Sequence, residues 1–383
     1  MAGRITRPPT ANTYGAAPMR CADWRADCGG ERPHRSYDPR VESGALSVTG
    51  VAALAVVLVF AFVLGVSDAP NASATLIATK AASYRRAMAF SFLAHAAGGL
   101  LAGEAVALTM RSLVHVAAAD LPATYLAGGV AALGFTVLLA RRGIPVSASI
   151  ALVGGLAGAA IVQGGWRAVG WGGVRGVHPY GVLGTLLAIV ISPLLGGLAA
   201  GGLRRLLGRL LRRGSRELVP ALRGTIWFTA GLVGLADGSN DGQKAMGLAT
   251  ALLVAAGSVH SFAVPFWVTA VVAFTLAAGT AAGGRRIVRT VSSRFYRGGP
   301  LDGVAAQGAS AAVILGAAFL GAPVSSSTVV ASSVIGVGTA RRRRHVHWPT
   351  VRTVISAWTV TVPACALAGA ALLELGRISG ALR

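Results

Sequence analysis

"GLADGSNDGQKAMG", residues 234–247, places Asp237, Asn240, Asp241, Gln243 and Lys244 in the middle of an apolar stretch that runs from 224 to 256. That stretch is about 33 residues long, against the roughly 20 that a helix needs to cross a bilayer, so its polar centre falls near mid-depth. A carboxylate there costs on the order of 3 kcal/mol on insertion scales unless it is protonated or paired with a cation. The stretch therefore reads as a membrane segment with a built-in polar site.

The rest of the chain has the same character. Hydrophobic residues make up 54% of it and charged residues 13%, a composition foreign to soluble domains. Apolar runs at 45–66, 87–108, 122–140, 143–163, 180–203, 224–256, 260–282, 303–321, 323–339 and 353–375 give an all-α polytopic membrane protein of about ten spanning segments. Only short loops separate them, which leaves no room for a soluble catalytic domain. The net charge of +22 comes from arginines between spans: Arg85 and Arg86, Arg141 and Arg142, and the clusters Arg204 to Arg223, Arg285 to Arg297 and Arg341 to Arg344. They fall in alternate loops, so the positive-inside rule puts those loops in the cytoplasm and both termini outside. The "RRRR" run is then a topology anchor, and no nucleic-acid partner is expected. The tail 1–44, with seven arginines against five acidic residues, reads as disordered and not as a signal peptide. Cys21, Cys28 and Cys365 have no metal-ligand or redox spacing and receive no role.

A second over-long stretch, about 45 to 79, is interrupted by "GVSDAPNASAT" from Gly65. Aligned on Asp68 and Asp241, Gly65 matches Gly238, Ser67 matches Asn240, and Asn71 matches Lys244. Two spans later in each half comes another paired signature, "GIPVSASIALVGGLAG" from Gly143 and "GAPVSSSTVVASSVIGVG" from Gly321. A single linking span separates the halves, so the second enters the membrane from the opposite side. This order predicts an inverted repeat with broken helices and helical-hairpin-like PVS turns, the pattern of secondary transporters that bind substrate and ions at the breaks. The expected divisions are a first repeat at 45–163, a linking span and basic cytoplasmic loop at 164–223, a second repeat at 224–339, and a basic loop, final span and C-terminus at 340–383.

Asp68 and Asp241 are the expected coupling-ion ligands; the plainer alternative is that they pair with Lys244 or with helix ends. Proline-led half-helices expose amides and hydroxyls at their positive ends, where an oxyanion binds. Ser147 and Ser149 in one half, and Ser325, Ser326, Ser327 and Thr328 in the other, are the candidate anion donors, against the plainer reading of helix caps. Gln243, Lys244, Asp237 and Ser67 are secondary candidates. An anion beside two aspartates is repelled unless cations accompany it, which itself argues for cotransport. His95 and Glu104 are weaker candidates for a proton path, and the glycines 154, 155 and 158 suit close helix packing.

At these residues the chain resembles the inorganic phosphate transporter (PiT) family, whose signature is similar to G-A-N-D-x-x-N-A in each half: "GVSDAPNA" at 65–72 and "GSNDGQKA" at 238–245. "TLIATKAASYRRAM", "ISPLLGG", the PVS turns and "IGVGTARRRRHVHW" extend the likeness over about 45–375. The resemblance implies phosphate, in some members as a metal-phosphate complex, carried with sodium or protons by a homodimer in the inner (plasma) membrane. No other cofactor is implied. The ion and phosphate roles would carry over to Asp68, Asn71, Asn240, Asp241 and the PVS hydroxyls. The chain departs from the family pattern at Ser67, Ala148, Ile150, Asp237 and Thr328, which keeps sulfate or another oxyanion open as substrate. Two readings from other classes remain: an intramembrane aspartyl protease using paired carboxylates, and a non-transporting sensor or assembly partner.

Overall fold

The structure, a computed structural model, describes residues 46–141, 147–211, 218–283, 299–341 and 348–382. The tail 1–44, Pro145 and Val146 of the first PVS turn, Arg142, and the arginines of 285–297 and 342–344 lie outside the described residues.

Eleven α-helices are present among the described residues: α1 (Val48–Ala78), α2 (Tyr84–Leu100), α3 (Ala105–Arg111), α4 (Leu121–Arg141), α5 (Ala148–Gly164), α6 (Gly181–Leu210), α7 (Leu218–Ala255), α8 (Phe266–Ala282), α9 (Pro300–Phe319), α10 (Ser326–Arg341) and α11 (Trp348–Ile378). A small hairpin, β1 (Gly173–Arg175) and β2 (His178–Tyr180), precedes α6. Each apolar run read from the sequence coincides with one of these helices, except that 87–108 is split into α2 and α3, bent by 74°.

Helices α1, α4, α6 and α9 and the segment Thr359–Ile378 of α11 are long and apolar enough to cross a membrane, and the bent α2–α3 pair passes as one span. Helices α5 and α8 are shorter apolar helices. Helix α7 carries Asp237, Asp241 and Lys244, yet every residue from 240 to 253 is buried by neighbouring helices. A helix enclosed by protein can hold charge that a lipid-facing helix cannot. The outer face is the reverse: Leu187, Val190, Leu194, Leu198, Phe266, Phe274 and Leu367 are exposed, which is the dress of a bundle solvated by lipid.

The sequence predicted broken helices at the two aspartate motifs, and the structure corrects this. Helix α1 runs unbroken through Asp68 and Pro70, and α7 runs unbroken through residues 237–244. The motif side chains find their partners on other helices, so the backbone ladder keeps its own bonds and need not open. The breaks lie elsewhere, at Leu101–Glu104 between α2 and α3 and at Leu320–Ser325 between α9 and α10. The second is set by Gly321 at φ 70°, with Ala322 N donating to Ala317 O (2.8 Å) and Gly321 N to Ala318 O (3.2 Å), the two bonds of a Schellman ending.

Glycine decides which helices meet. A Cβ at Gly65 of α1 would overlap Leu276 O of α8, and one at Gly279 of α8 would overlap Phe62 O of α1. In the same way Gly238 of α7 lies against His95 O of α2, and Gly98 of α2 against Leu235 O of α7. Farther out, Gly158 abuts Ala366 of α11, and Gly336 of α10 abuts Gly197 of α6. At one end of the bundle, Asp302 of α9 pairs with Arg204 of α6 and with Arg341 of α10 (3.2 Å), and accepts from Gly299 N (2.9 Å). The basic ends of α6 and α10 thus lie together.

Candidate functional site

The site forms where α1, α7, the α9–α10 turn and the start of α5 converge. Asp68 and Asn71 lie one helical turn apart on α1, so Asn71 Nδ2 donates to Asp68 Oδ1 (3.0 Å). The same nitrogen donates across to Asp237 Oδ2 on α7 (2.9 Å). Asp241 and Lys244 repeat this three-residue spacing on α7, with the Lys244 ammonium donating to Asp241 Oδ1.

The serines come from both halves. Ser327 Oγ on α10 donates to Asp68 Oδ1 (2.8 Å), and Ser326 Oγ donates to Asp241 Oδ2 and reaches Asp68 Oδ1 at 3.5 Å. Ser149, the counterpart of Ser327 on α5, accepts from Lys244 Nζ (2.9 Å). Lys244 also donates to Val324 O in the α9–α10 turn. The side chains of Asp68, Asp237, Asp241, Lys244, Ser149 and Ser326 are all buried.

Other candidate residues have different employment. Asn240 donates to Ala322 O (2.9 Å) and accepts from Val324 N (3.2 Å), so both ends of its amide clamp the α9–α10 turn. Gln243 accepts from Val106 N (2.8 Å) at the start of α3 and donates to Ser239 Oγ (3.4 Å). Ser147 caps α5 through Ile150 N (3.3 Å), Thr328 Oγ1 donates back to Ser325 O (2.7 Å), and Ser67 Oγ donates to Val63 O (2.9 Å). These three hydroxyls serve their own helices. Ser325 is buried in the turn beside them. Glu104 is exposed at the α2–α3 break, where it accepts from Val264 N (2.9 Å), away from the cluster.

Of two further participants, one went unread in the sequence and the other was a weaker candidate there. Gln307 of α9 donates to Asn71 O and Ala72 O (both 3.3 Å) and accepts from Thr229 Oγ1 (3.1 Å). A single glutamine within an apolar run is the one mark it leaves in the sequence. His95 of α2 places Nε2 3.8 Å from Asp237 Oδ2 while Nδ1 lies 2.8 Å from Ser91 O. An ionisable residue inside a span is such a signal, but its partner is set by the α2–α7 crossing.

Asn240→Ala should show how much the turn depends on its clamp. It leaves Ala322 O and Val324 N without their partner, at a cost of about 1–3 kcal/mol. The purified variant should melt below wild type, and Ser327→Ala, which removes one hydroxyl donor, should melt closer to it. Differential scanning fluorimetry in detergent reads both.

Chemically, the site combines three carboxylates and one ammonium with hydroxyls at the N-terminal end of α10 and the first turn of α5. Helix N-termini favour anions and carboxylates favour cations. The profile of the Phosphate transporter family matches residues 64–227 and 212–369. A protein of Rhizobium meliloti named "Probable low-affinity inorganic phosphate transporter" is 34% identical over 322 residues, covering 84% of this chain and 94% of its own. Proteins of the same name from Bacillus subtilis (31% identical, 82% of this chain and 92% of the relative) and Mycobacterium bovis (36%, 82% and 74%) are also similar. Among solved structures, "The sodium-dependent phosphate transporter" superposes with a TM-score of 0.76 at 20% identity, covering 87% of this chain and all of that one, a likeness of fold.

Proposed function

The chain belongs to the phosphate transporter family, and from that premise we propose that it carries inorganic phosphate across the cytoplasmic membrane by cation-coupled symport with alternating access. Its relatives are transporters and not enzymes, so the paired carboxylates do not make it an aspartyl protease. One observation carries the coupling: Asp68 and Asp237 are buried and bridged by a single amide nitrogen, yet each keeps an oxygen with no hydrogen-bond partner among the described residues. Such oxygens are costly in a membrane bundle unless a cation or proton takes them. Sodium and a proton both meet that need, and the likeness to a sodium-dependent phosphate transporter favours sodium.

The anion would lie against Ser326, Ser327 and Ser149, next to the cation, whose charge offsets the carboxylate field. Asn71, with its amide between Asp68 and Asp237, holds the two carboxylates for the cation. The packing supports an inverted repeat for the rocking motion: α1 meets α8 as α7 meets α2, α5 meets α11 as α10 meets α6, and Gly65 and Gly238 occupy matching crossings. About ten crossings, termini outside, and a homodimer complete the reading.

Uptake of radiolabelled phosphate into proteoliposomes tests it, with sodium and proton gradients imposed separately and unlabelled sulfate as competitor. Accumulation under one gradient, without competition by sulfate, is the expected result and names the cation. Strong competition by sulfate would assign the chain to a broader oxyanion class, and a metal requirement would identify a metal-phosphate complex as cargo. No uptake under any gradient would favour the non-transporting reading.

A further inference from the structure

We infer that Lys244 is a resident cation that permanently fills the oxygen cage at Asp241, so that the cation moved with substrate is held by Asp68 and Asp237 across Asn71. This deepens the symport reading and rests on it.

The hydrogen-bond inventory separates the two places. A lysine ammonium has three N–H donors and no acceptor. Those of Lys244 have three oxygen partners, Asp241 Oδ1, Ser149 Oγ and Val324 O. Asp241 is complete as well, since its second oxygen accepts from Ser326. Carboxylate, ammonium and hydroxyls there form a closed set, and a mobile cation entering it would have to displace a covalently tethered one.

The neighbouring pair is open. Among the described residues, Asp68 Oδ1 takes donors from Asn71 and Ser327 while Oδ2 has none. Asp237 Oδ2 accepts from Asn71, and among the same residues Oδ1 has none. His95 Nε2, facing Asp237 from α2 beyond hydrogen-bond distance, is also without a partner among them. Residues Asp68, Asp237 and His95 are each at most 1% exposed. The ionisable groups around the pair are Asp68 from α1, His95 from α2, and Asp237, Asp241 and Lys244 from α7. Helices α5 and α8 contribute no ionisable residue, and Asp302 of α9 and Arg341 of α10 pair with each other at one end of the bundle. Three carboxylates against one ammonium leave the charge deficit at the open pair.

The consequence is a cation count that Lys244 lowers. Lys244→Gln exposes the Asp241 cage to a mobile cation, whereas the double variant Asp241→Asn/Lys244→Gln removes both charges of the closed pair together. Melting of the purified full chain would be measured against sodium chloride at fixed pH, with choline chloride keeping ionic strength constant, and against pH in choline chloride alone. These two arms separate sodium from protons, and neither contains phosphate. In the arm to which wild type responds, Lys244→Gln should show a dependence on cation concentration steeper by about one bound cation, and the double variant should return to the wild-type slope. Asp68→Asn should lose the wild-type response. In proteoliposomes, the slope of phosphate accumulation against the cation gradient should rise by about one in Lys244→Gln.

A folded Lys244→Gln with the wild-type slope would overturn the inference. So would a double variant that loses a bound cation, since Asp241 would then be a ligand of the mobile ion. If Lys244→Gln does not fold, the double variant decides, and its failure to fold counts against a self-contained pair. Absence of phosphate uptake by wild type would sink the symport reading while leaving the cation count legible in the melting data.

Discussion

Asp68→Asn should abolish cation-driven phosphate uptake, to at least about 100-fold below wild type, while the protein still inserts and purifies normally. Asp68 Oδ1 accepts from Asn71 on its own helix and from Ser327 on α10, so the residue joins the two halves at the point where the cation is proposed to sit. The amide has nearly the volume of the carboxylate and can still accept with its oxygen, which limits the structural damage. It lacks the charge, however. A charge-assisted contact in a water-poor site is worth about 1.5–3 kcal/mol, and each 1.4 kcal/mol is tenfold in affinity. Loss of the carboxylate removes such contacts to the cation and, through the cation, the attraction for the anion. Uptake under an imposed gradient, normalised to protein recovered in the vesicles, measures the effect. Retained uptake within about threefold of wild type would exclude Asp68 from coupling.

Gly238→Val should act on the fold itself. The Cβ that valine adds would overlap His95 O of α2, and the obstruction is backbone, which cannot rotate away as a side chain can. The α2–α7 crossing would have to open, which shifts His95 away from Asp237 and loosens the enclosed stretch of α7. Overpacking of this kind costs about 3 kcal/mol or more when backbone must move. Recovery of monodisperse protein from size-exclusion chromatography should fall severalfold, and any remainder should melt well below wild type. Gly316→Val is the matched control, because that glycine is exposed on α9 and nothing lies within 4 Å of its added Cβ. Equal behaviour of the two variants would show that the crossing tolerates separation.

Much of this architecture was legible from residue order. The apolar runs located the helices, the repeated G-x-x-D and PVS signatures singled out Asp68, Asp241 and the serines, and the glycine-rich segment after Ser149 indicated close packing. Three readings needed the coordinates. Helices α1 and α7 stay whole at their motifs, where Asn71, Lys244 and Ser327 reach the carboxylates through side chains and the backbone ladder keeps its own bonds. Asn240, expected as an ion or phosphate ligand, clamps the α9–α10 turn with both ends of its amide. Asp237, a secondary candidate, stands at the centre of the open pair.

The sequence by itself determined where helices lie and which residues are too polar for lipid, since a bilayer imposes its demand locally, residue by residue and within one span. Only the tertiary structure decided which polar groups meet. Asn71 and Asp237 are 166 residues apart, and Ser326 and Asp241 are 85 apart. Whether a buried carboxylate is closed by a lysine or left open to a cation depends on a few ångströms set by glycine crossings between distant helices, and the local pattern carries no record of those distances.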